Sequence, residues 1–346
     1  MAATRTFNTD TRGFTLTELL VGMLLTLVVT GGALLAFSQA IRATDMAKLR
    51  LGMGDQVRIG LDLMTRDFIQ IGNGLPNGKV MPVPNGVGAT AIHRPGPTLA
   101  DFTLATTTDL SAVIPGAQLG PVINGVQSDV ISMLYVDPAF DNPAVALQNP
   151  RHCTMANNGR SCVFATNVGT MSDPLRAGDL LMITGTGTGT TMMMVTSVAP
   201  ANTANFADGD AMNLNQPLAP SGSVTRLNPT PGTAFDVVVE RVKLITYWVQ
   251  AQSENDSYEL MRQINFGTAQ RVASGLEYLQ FTYDMVDGVT NPTNVRNPAD
   301  PTQIRKINIF LAARSSDRFK NTNDFLRMSM SSQVSLRSLA LVDRYQ

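Results

Sequence analysis

Hydrophobic and polar positions divide the chain into three regimes. From Leu19 to Ile41 no side chain is charged. As a helix those roughly 23 residues reach about 34 Å, enough to cross the hydrocarbon layer of a bilayer. The run is aliphatic, broken by Gly22, Thr26, Thr30, Gly31 and Gly32, a composition that suits a bilayer helix. Beyond it, apolar residues recur three or four apart at Ile41, Leu49, Met53, Val57, Leu61, Met64, Phe68 and Ile71. Arg42, Lys48, Arg50, Asp55, Arg58, Asp62, Arg66 and Asp67 fall on the opposite positions. That period predicts a continuing amphipathic helix, with Gly72-Asn73-Gly74 and Pro76 as its stop. One helix from about Phe14 to Ile71 results. Gly31-Gly32 and Gly52 with Gly54 either bend it or are ordinary helix glycines.

The pattern then changes. From Gly72 to about Gln127 the chain is rich in Gly, Pro, Ala and Thr, which predicts loops and short elements. Strand signals follow at Val130–Val136, Leu180–Thr184, Met192–Val198, Val237–Val249, Tyr258–Ile264, Leu276–Tyr283, Ile304–Ala313 and Val334–Leu339. Within Glu240–Val249, alternation sets Val242, Leu244 and Trp248 on one face and Arg241, Lys243 and Tyr247 on the other, as in a half-buried strand. Ala201–Phe235 and Asp287–Gln303 read as long connections. The expected fold is α+β, a long N-terminal helix packed on a mostly antiparallel β ectodomain.

Composition narrows the function. With 346 residues, 15% charged, 44% hydrophobic and a net charge of −1, the chain is neither disordered nor a polybasic nucleic-acid binder. It contains no H-E-x-x-H, P-loop or G-x-S-x-G pattern, and His93 and His152 are its only histidines. Gly185–Thr191 lacks the Lys and following helix of a phosphate cradle and reads as a hairpin turn. Met192, Met193 and Met194 would alternate across a strand and cannot converge on one metal. Asp284, Asp287 and Asp300 could gather oxygen ligands, but without EF-hand spacing. The basic residues of Thr302–Gln346 form no dense run, so a solvated β face accounts for them without nucleic acid. No enzyme activity, cofactor or metal is expected.

One residue resists a purely structural account. Glu18 lies a turn inside the apolar helix, where a carboxylate is costly unless it snorkels to the headgroups or finds a partner. A cleaved secretory signal does not fit: its apolar core spans about 7–15 residues, and Ala33 and Ala36 offer only a weak small-residue cleavage site. The run Gly13-Phe14-Thr15-Leu16-Thr17-Glu18-Leu19-Leu20-Val21-Gly22-Met23 resembles the processing motif of type IV prepilins and type II secretion pseudopilins. The resemblance implies cleavage after Gly13 on the cytoplasmic side by prepilin peptidase, and N-methylation of the new terminal Phe14. It implies that Glu18, fifth residue of the mature chain, faces the N-terminal amine of a neighbouring subunit during assembly. Opposite charges attract strongly in a medium of low dielectric, and either one alone there is penalised.

The resemblance divides the chain into a leader (1–13), a transmembrane and filament-core helix (14–40), an amphipathic continuation (41–72) and a periplasmic or extracellular ectodomain (73–346), in the lollipop shape of pilin-like proteins. Gly178–Ile183, Tyr258–Arg262, Gly275–Tyr283 and Val334–Leu339 look like segments of PilW-type minor pilins. The implied partners are prepilin peptidase, other minor and major pilins, the inner-membrane assembly machinery and the lipid bilayer. A J-type minor pseudopilin and a membrane-anchored adhesin or ligand-binding protein are the alternatives. Charge on either side of the span does not set its orientation; the resemblance alone places the leader in the cytoplasm and the protein first in the inner membrane, then in the pilus. Cys153 and Cys162, separated by eight residues in a Pro-, Asn- and Gly-rich segment, are read as a disulfide in an oxidising periplasm, with two free thiols as the alternative. His152 next to Cys153 is no catalytic pair, since a disulfide sulfur is not a thiolate.

Overall fold

The computed structural model describes residues 13–84, 90–97, 101–102, 109–123, 125–140, 152–156, 159–171, 173–185, 189–216, 227, 234–251, 258–319 and 324–341. The expected leader lies outside them except for Gly13, as do the tip of the Gly185–Thr191 turn and much of the Ala201–Phe235 connection. The fold is α+β, a long apolar N-terminal helix followed by a mostly antiparallel sheet structure. The chain divides into two compact units, Met1–Leu51 and Gly52–Gln346.

Helix α1 spans Leu16–Ile69 without interruption at Gly31-Gly32, Gly52 or Gly54. In the first unit its apolar side chains are exposed, from Leu16 through Phe37, and it is long and apolar enough to cross a membrane. Its hydroxyls are satisfied within the helix: Thr26 donates to Gly22 O (2.7 Å), Thr30 to Thr26 O (2.7 Å) and Ser38 to Leu35 O (2.9 Å). Lipid cannot satisfy them, so such back-bonding is what a spanning helix requires.

In the second unit the predicted stripe is buried: Met53, Val57, Leu61, Met64, Phe68 and Ile71 enter one core with the sheets. Asp55, Arg58, Asp62 and Arg66 face outward. Gly60 allows the closest approach, since a Cβ there would lie 3.0 Å from Leu260 Cδ2 and 3.2 Å from Leu311 Cδ2. Gly72, at φ +77°, turns the chain beyond the helix and donates its N–H to Leu134 O at 3.0 Å.

The strands begin with β1 (Val80–Pro82) and β2 (Asp109–Ser111), which pair together. After β3 (Val113–Gly116), β4 (Val122–Ile123) and β5 (Val126–Gln127) form a small hairpin, and β6 (Val130–Val136) returns to pair with β3. Next come β7 (His152–Met155), β8 (Ser161–Phe164), β9 (Leu180–Gly185), β10 (Thr190–Met194), β11 (Ser197–Val198) and β12 (Thr203–Asn205). The long strand β13 (Phe235–Ala251) organises them. Along one edge it carries β7 on Phe235–Val238 and then β6 on Val242–Tyr247; along the other it carries β9 on Val237–Val242 and then β14 (Tyr258–Ile264) on Ile245–Ala251. β15 (Gln270–Ser274) adds to β14. A separate three-stranded sheet follows, β16 (Leu276–Met285), β17 (Ile304–Phe319) and β18 (Asp324–Ser335), ending in helix α2 (Arg337–Leu341).

Two large cores result within this unit, beside a small cluster of Val130, Trp248 and Met261. One joins α1 to β6, the far half of β13 and the three-stranded sheet; the other, around Phe140, Phe164, Phe206, Val237 and Val239, lies between the strands of β7 to β12 and the near half of β13. Strand β10 serves both, with Met192 and Met194 in the first core and Met193 in the second, which is the alternation expected of that run.

Several expectations are corrected. Strand β13 is not half-buried: Arg241 and Tyr247 are as enclosed as Val242 and Leu244, because the strand is central and carboxylates meet its polar groups. Asp67, assigned to the solvent side of the helix, is buried. The stretch Val334–Leu339 is not one strand. The β17 ladder ends where Leu336 N–H meets Arg305 O, and α2 begins at Arg337, with Leu336 and Leu339 buried three apart as on a helix. Met192–Val198 also divides, because Val195 N–H turns to Asp179 O and Thr196 N–H to Asn205 O.

Candidate processing and assembly site

Gly13 and Phe14 precede the helix, and Thr15 is its N-cap. Phe14 is 86% exposed, and nothing lies within 4 Å of where a Cβ on Gly13 would stand. The peptide bond between them therefore lies outside the helix, between two exposed residues. The helix starts at Leu16 because Thr15-Leu16-Thr17-Glu18 forms a capping box. Glu18 Oε2 accepts from Thr15 N–H at 2.9 Å and from Thr15 Oγ1 at 2.8 Å, while Glu18 N–H donates to Thr15 Oγ1 at 3.3 Å. The carboxylate also stands where the helix dipole favours negative charge.

This local partner changes the account of Glu18. Within one chain the carboxylate is met by Thr15, a partner that the T-x-x-E spacing signals. Both Thr15 bonds fall on Oε2. A carboxylate has about four acceptor positions on its two oxygens, so Oε1 can still receive an amine.

Elsewhere, side chains singled out by sequence do not converge. Cys153 and Cys162 form a disulfide, with Cα atoms 5.7 Å apart, bracing the β7–β8 hairpin from inside the second core. Along β7, His152 is exposed while Cys153 is buried, so the neighbours face opposite ways. His93 Nδ1 lies 2.7 Å from Asp101 Oδ1, apart from any cysteine. Asp287 closes a turn by accepting from the N–H groups of Val289, Thr290 and Asn291 and from Thr290 Oγ1. These bonds hold its carboxyl well below the usual range. Asp300 accepts from Thr302 N–H and Oγ1, and Asp284 from Asn294 N–H and Asn308 Nδ2. Among the described residues no group of three His, Cys, Asp or Glu is placed to hold a metal.

Three basic residues of the C-terminal sheet are engaged locally: Arg327 Nε binds Glu277 at 3.0 Å, and the guanidinium groups of Arg314 and Arg318 lie over the Phe325 ring. Lys320 and Arg344 are outside the described residues.

Two buried ionic groups, neither foreseen, fix the second unit. Asp67 Oδ2 accepts from Tyr247 Oη and Arg262 Nε, both at 2.7 Å. Burial first, then the Asp67 charge, pushes the Tyr247 phenol well above its ordinary value. Asp137 binds Arg241 Nε at 3.0 Å and Lys243 Nζ at 2.9 Å, and Arg241 also binds Asp173. Burial works to raise the Asp137 carboxyl, but Lys243, the Ala139 N–H and Arg241 outweigh it and hold it below the ordinary range. Each buried carboxylate is met by at least two donors, and the two groups serve as braces.

A model of the prokaryotic N-terminal methylation motif matches residues 8–34. No curated protein and no solved structure matches the chain. The matched motif spans the Gly13–Phe14 junction, the capping box and the first turns of the apolar helix. It supports a membrane-anchored, type IV pilin-like or pseudopilin-like protein, processed by prepilin peptidase and assembled with other pilins.

Proposed function

We propose that this chain is a minor pilin of PilW type that takes part in starting or capping a type IV pilus. The observation that carries the proposal is the exposed junction at Gly13–Phe14, outside the helix and followed directly by a capped apolar helix with Glu18 in its first turn. In this reading prepilin peptidase cuts after Gly13, Phe14 is methylated, and the chain waits in the inner membrane as a single-pass protein with its ectodomain in the periplasm. The exposed surface from Phe14 to Phe37 then passes from lipid to the helical core of the filament. There, Glu18 receives the terminal amine of an adjacent subunit, so that each charge gains a counter-charge in a low-dielectric medium. The ectodomain, its cores built on one long strand, sets which neighbours it accepts.

The motif is common to pilins and pseudopilins, so the J-type pseudopilin of type II secretion is the second reading. Deleting the gene separates them. The pilus reading expects loss of surface pili with exoenzyme secretion intact; lost secretion with normal piliation assigns the chain to the secretion system. An anchored adhesin would leave both untouched.

A further inference from the structure

We propose that the outer edge of β18 receives an extended strand from a neighbouring pilin-type subunit, an inference that rests on the pilin reading above. Leu336 N–H donates to Arg305 O at 2.8 Å, and the register between β17 and β18 is unshifted from Lys306↔Ser335 to Arg314↔Arg327. In an antiparallel pair, hydrogen-bonded and non-hydrogen-bonded positions alternate. Counting back from Leu336, the even-numbered residues of β18 bond to β17. Ser329, Ser331, Gln333 and Ser335 turn their N–H and C=O groups to the other side. Among the described residues no strand pairs with that side.

Four such residues at a repeat of about 6.8 Å present roughly 20 Å of unpaired backbone. From Met328 to Ser335 the strand has no charge, proline or glycine, and the register shift in this pair lies beyond it, between Arg314 and Arg318. Charge, proline and a bulge, devices that blunt exposed edges, are therefore absent from these residues. The edge is also held straight. Leu326, Met328 and Met330 pack against the core and Val334 is buried in it. On the opposite face Gln333 Nε2 reaches Asn308 Oδ1 at 2.7 Å and Asp284 Oδ2 at 3.2 Å, tying all three strands together. Little ordering entropy remains to oppose pairing.

A row of donors and acceptors at the strand repeat is matched by another extended backbone, and an uncharged edge favours an uncharged partner segment. Assembly supplies the partner at high local concentration, because side-by-side subunits make the second contact intramolecular in effect.

The test uses the full-length chain in cells that assemble the filament. Hydrogen exchange over residues 328–336 is compared between filament or tip complex and detergent-solubilised single chain, with the mature N-terminus read from the same samples. The odd-numbered amides are expected to exchange about ten-fold more slowly in the assembly. Ser331→Pro removes one outward N–H and no bond to β17, so it should leave the melting temperature unchanged and lower incorporation about ten-fold. Ser332→Pro, which breaks the ladder, should lower the melting temperature. Equal exchange in both samples, or Ser331→Pro incorporated like wild type, overturns the proposal. So does protection that appears when the solubilised chain pairs with a second copy of itself. A wild-type chain that retains residues 1–13 and stays out of the assembly overturns the pilin reading and this inference together.

Discussion

Thr15 and Glu18 do two things that separate under substitution. In the single chain Thr15 caps the helix, and the Glu18 carboxylate closes the box on the Thr15 N–H. Thr15→Ala should fray the first turn, at a cost of about 1 kcal/mol, yet leave the charge that meets an incoming amine. Glu18→Gln keeps a side-chain acceptor for the cap and loses the charge. If the carboxylate is the docking group, Glu18→Gln should reduce the amount of chain in sheared filaments by about ten-fold or more, since an amine in lipid then has no counter-charge. Thr15→Ala should stay within about five-fold of wild type, the equivalent of about 1 kcal/mol and less than the tenfold of 1.4 kcal/mol. Equal losses for the two variants would make Glu18 a helix cap and nothing more. The capping box was legible in the sequence as T-x-x-E, but the cost of burying a carboxylate drew the reading toward a partner outside the chain.

Among elements, the end of α1 is bolted to the sheet by Asp67, which holds strand β13 through Tyr247 and strand β14 through Arg262. The apolar stripe alone would let the helix slide; a buried carboxylate with two donors fixes one register. Asp67→Ala leaves Arg262 without its buried counter-charge and should cost about 3–5 kcal/mol, whereas Tyr247→Phe removes one hydrogen bond and should cost about 1 kcal/mol. Thermal unfolding of the full chain in detergent measures both. Similar shifts would contradict the assignment of Asp67 as the principal brace.

The helix stripe was legible because its period is long and sustained, and strands β6 and β14 were found at their observed limits because their apolar runs are bounded by turn residues. Asp67 was misplaced because spacing reports a face, not a partner: position 67 adjoins the buried Met64–Phe68 edge, and only the fold brings Tyr247 and Arg262 to it. Strands β7, β8 and β15 are too short to show a period. Most of β18 was missed because its alternation is of Met with Ser, with weak contrast. Gly60 was passed over because a close approach of helix and sheet is invisible along one chain.

At the scale of the molecule, two unlike surfaces are joined in sequence. The first unit is a helix whose exposed face is apolar from Leu16 to Phe37, a surface unstable in water and suited to lipid or to other helices. The second carries its own cores, a disulfide and buried ionic braces, which suits the ectodomain of the proposed function. In the proposed function the first unit passes from membrane to filament only after the Gly13–Phe14 junction is cut, and the account stands on that cut. Mass spectrometry of the mature protein from the native host tests this most directly. The account predicts a chain that lacks residues 1–13 and begins at an N-methylated Phe14. A chain that retains its leader, or begins at an unmodified residue elsewhere, contradicts it.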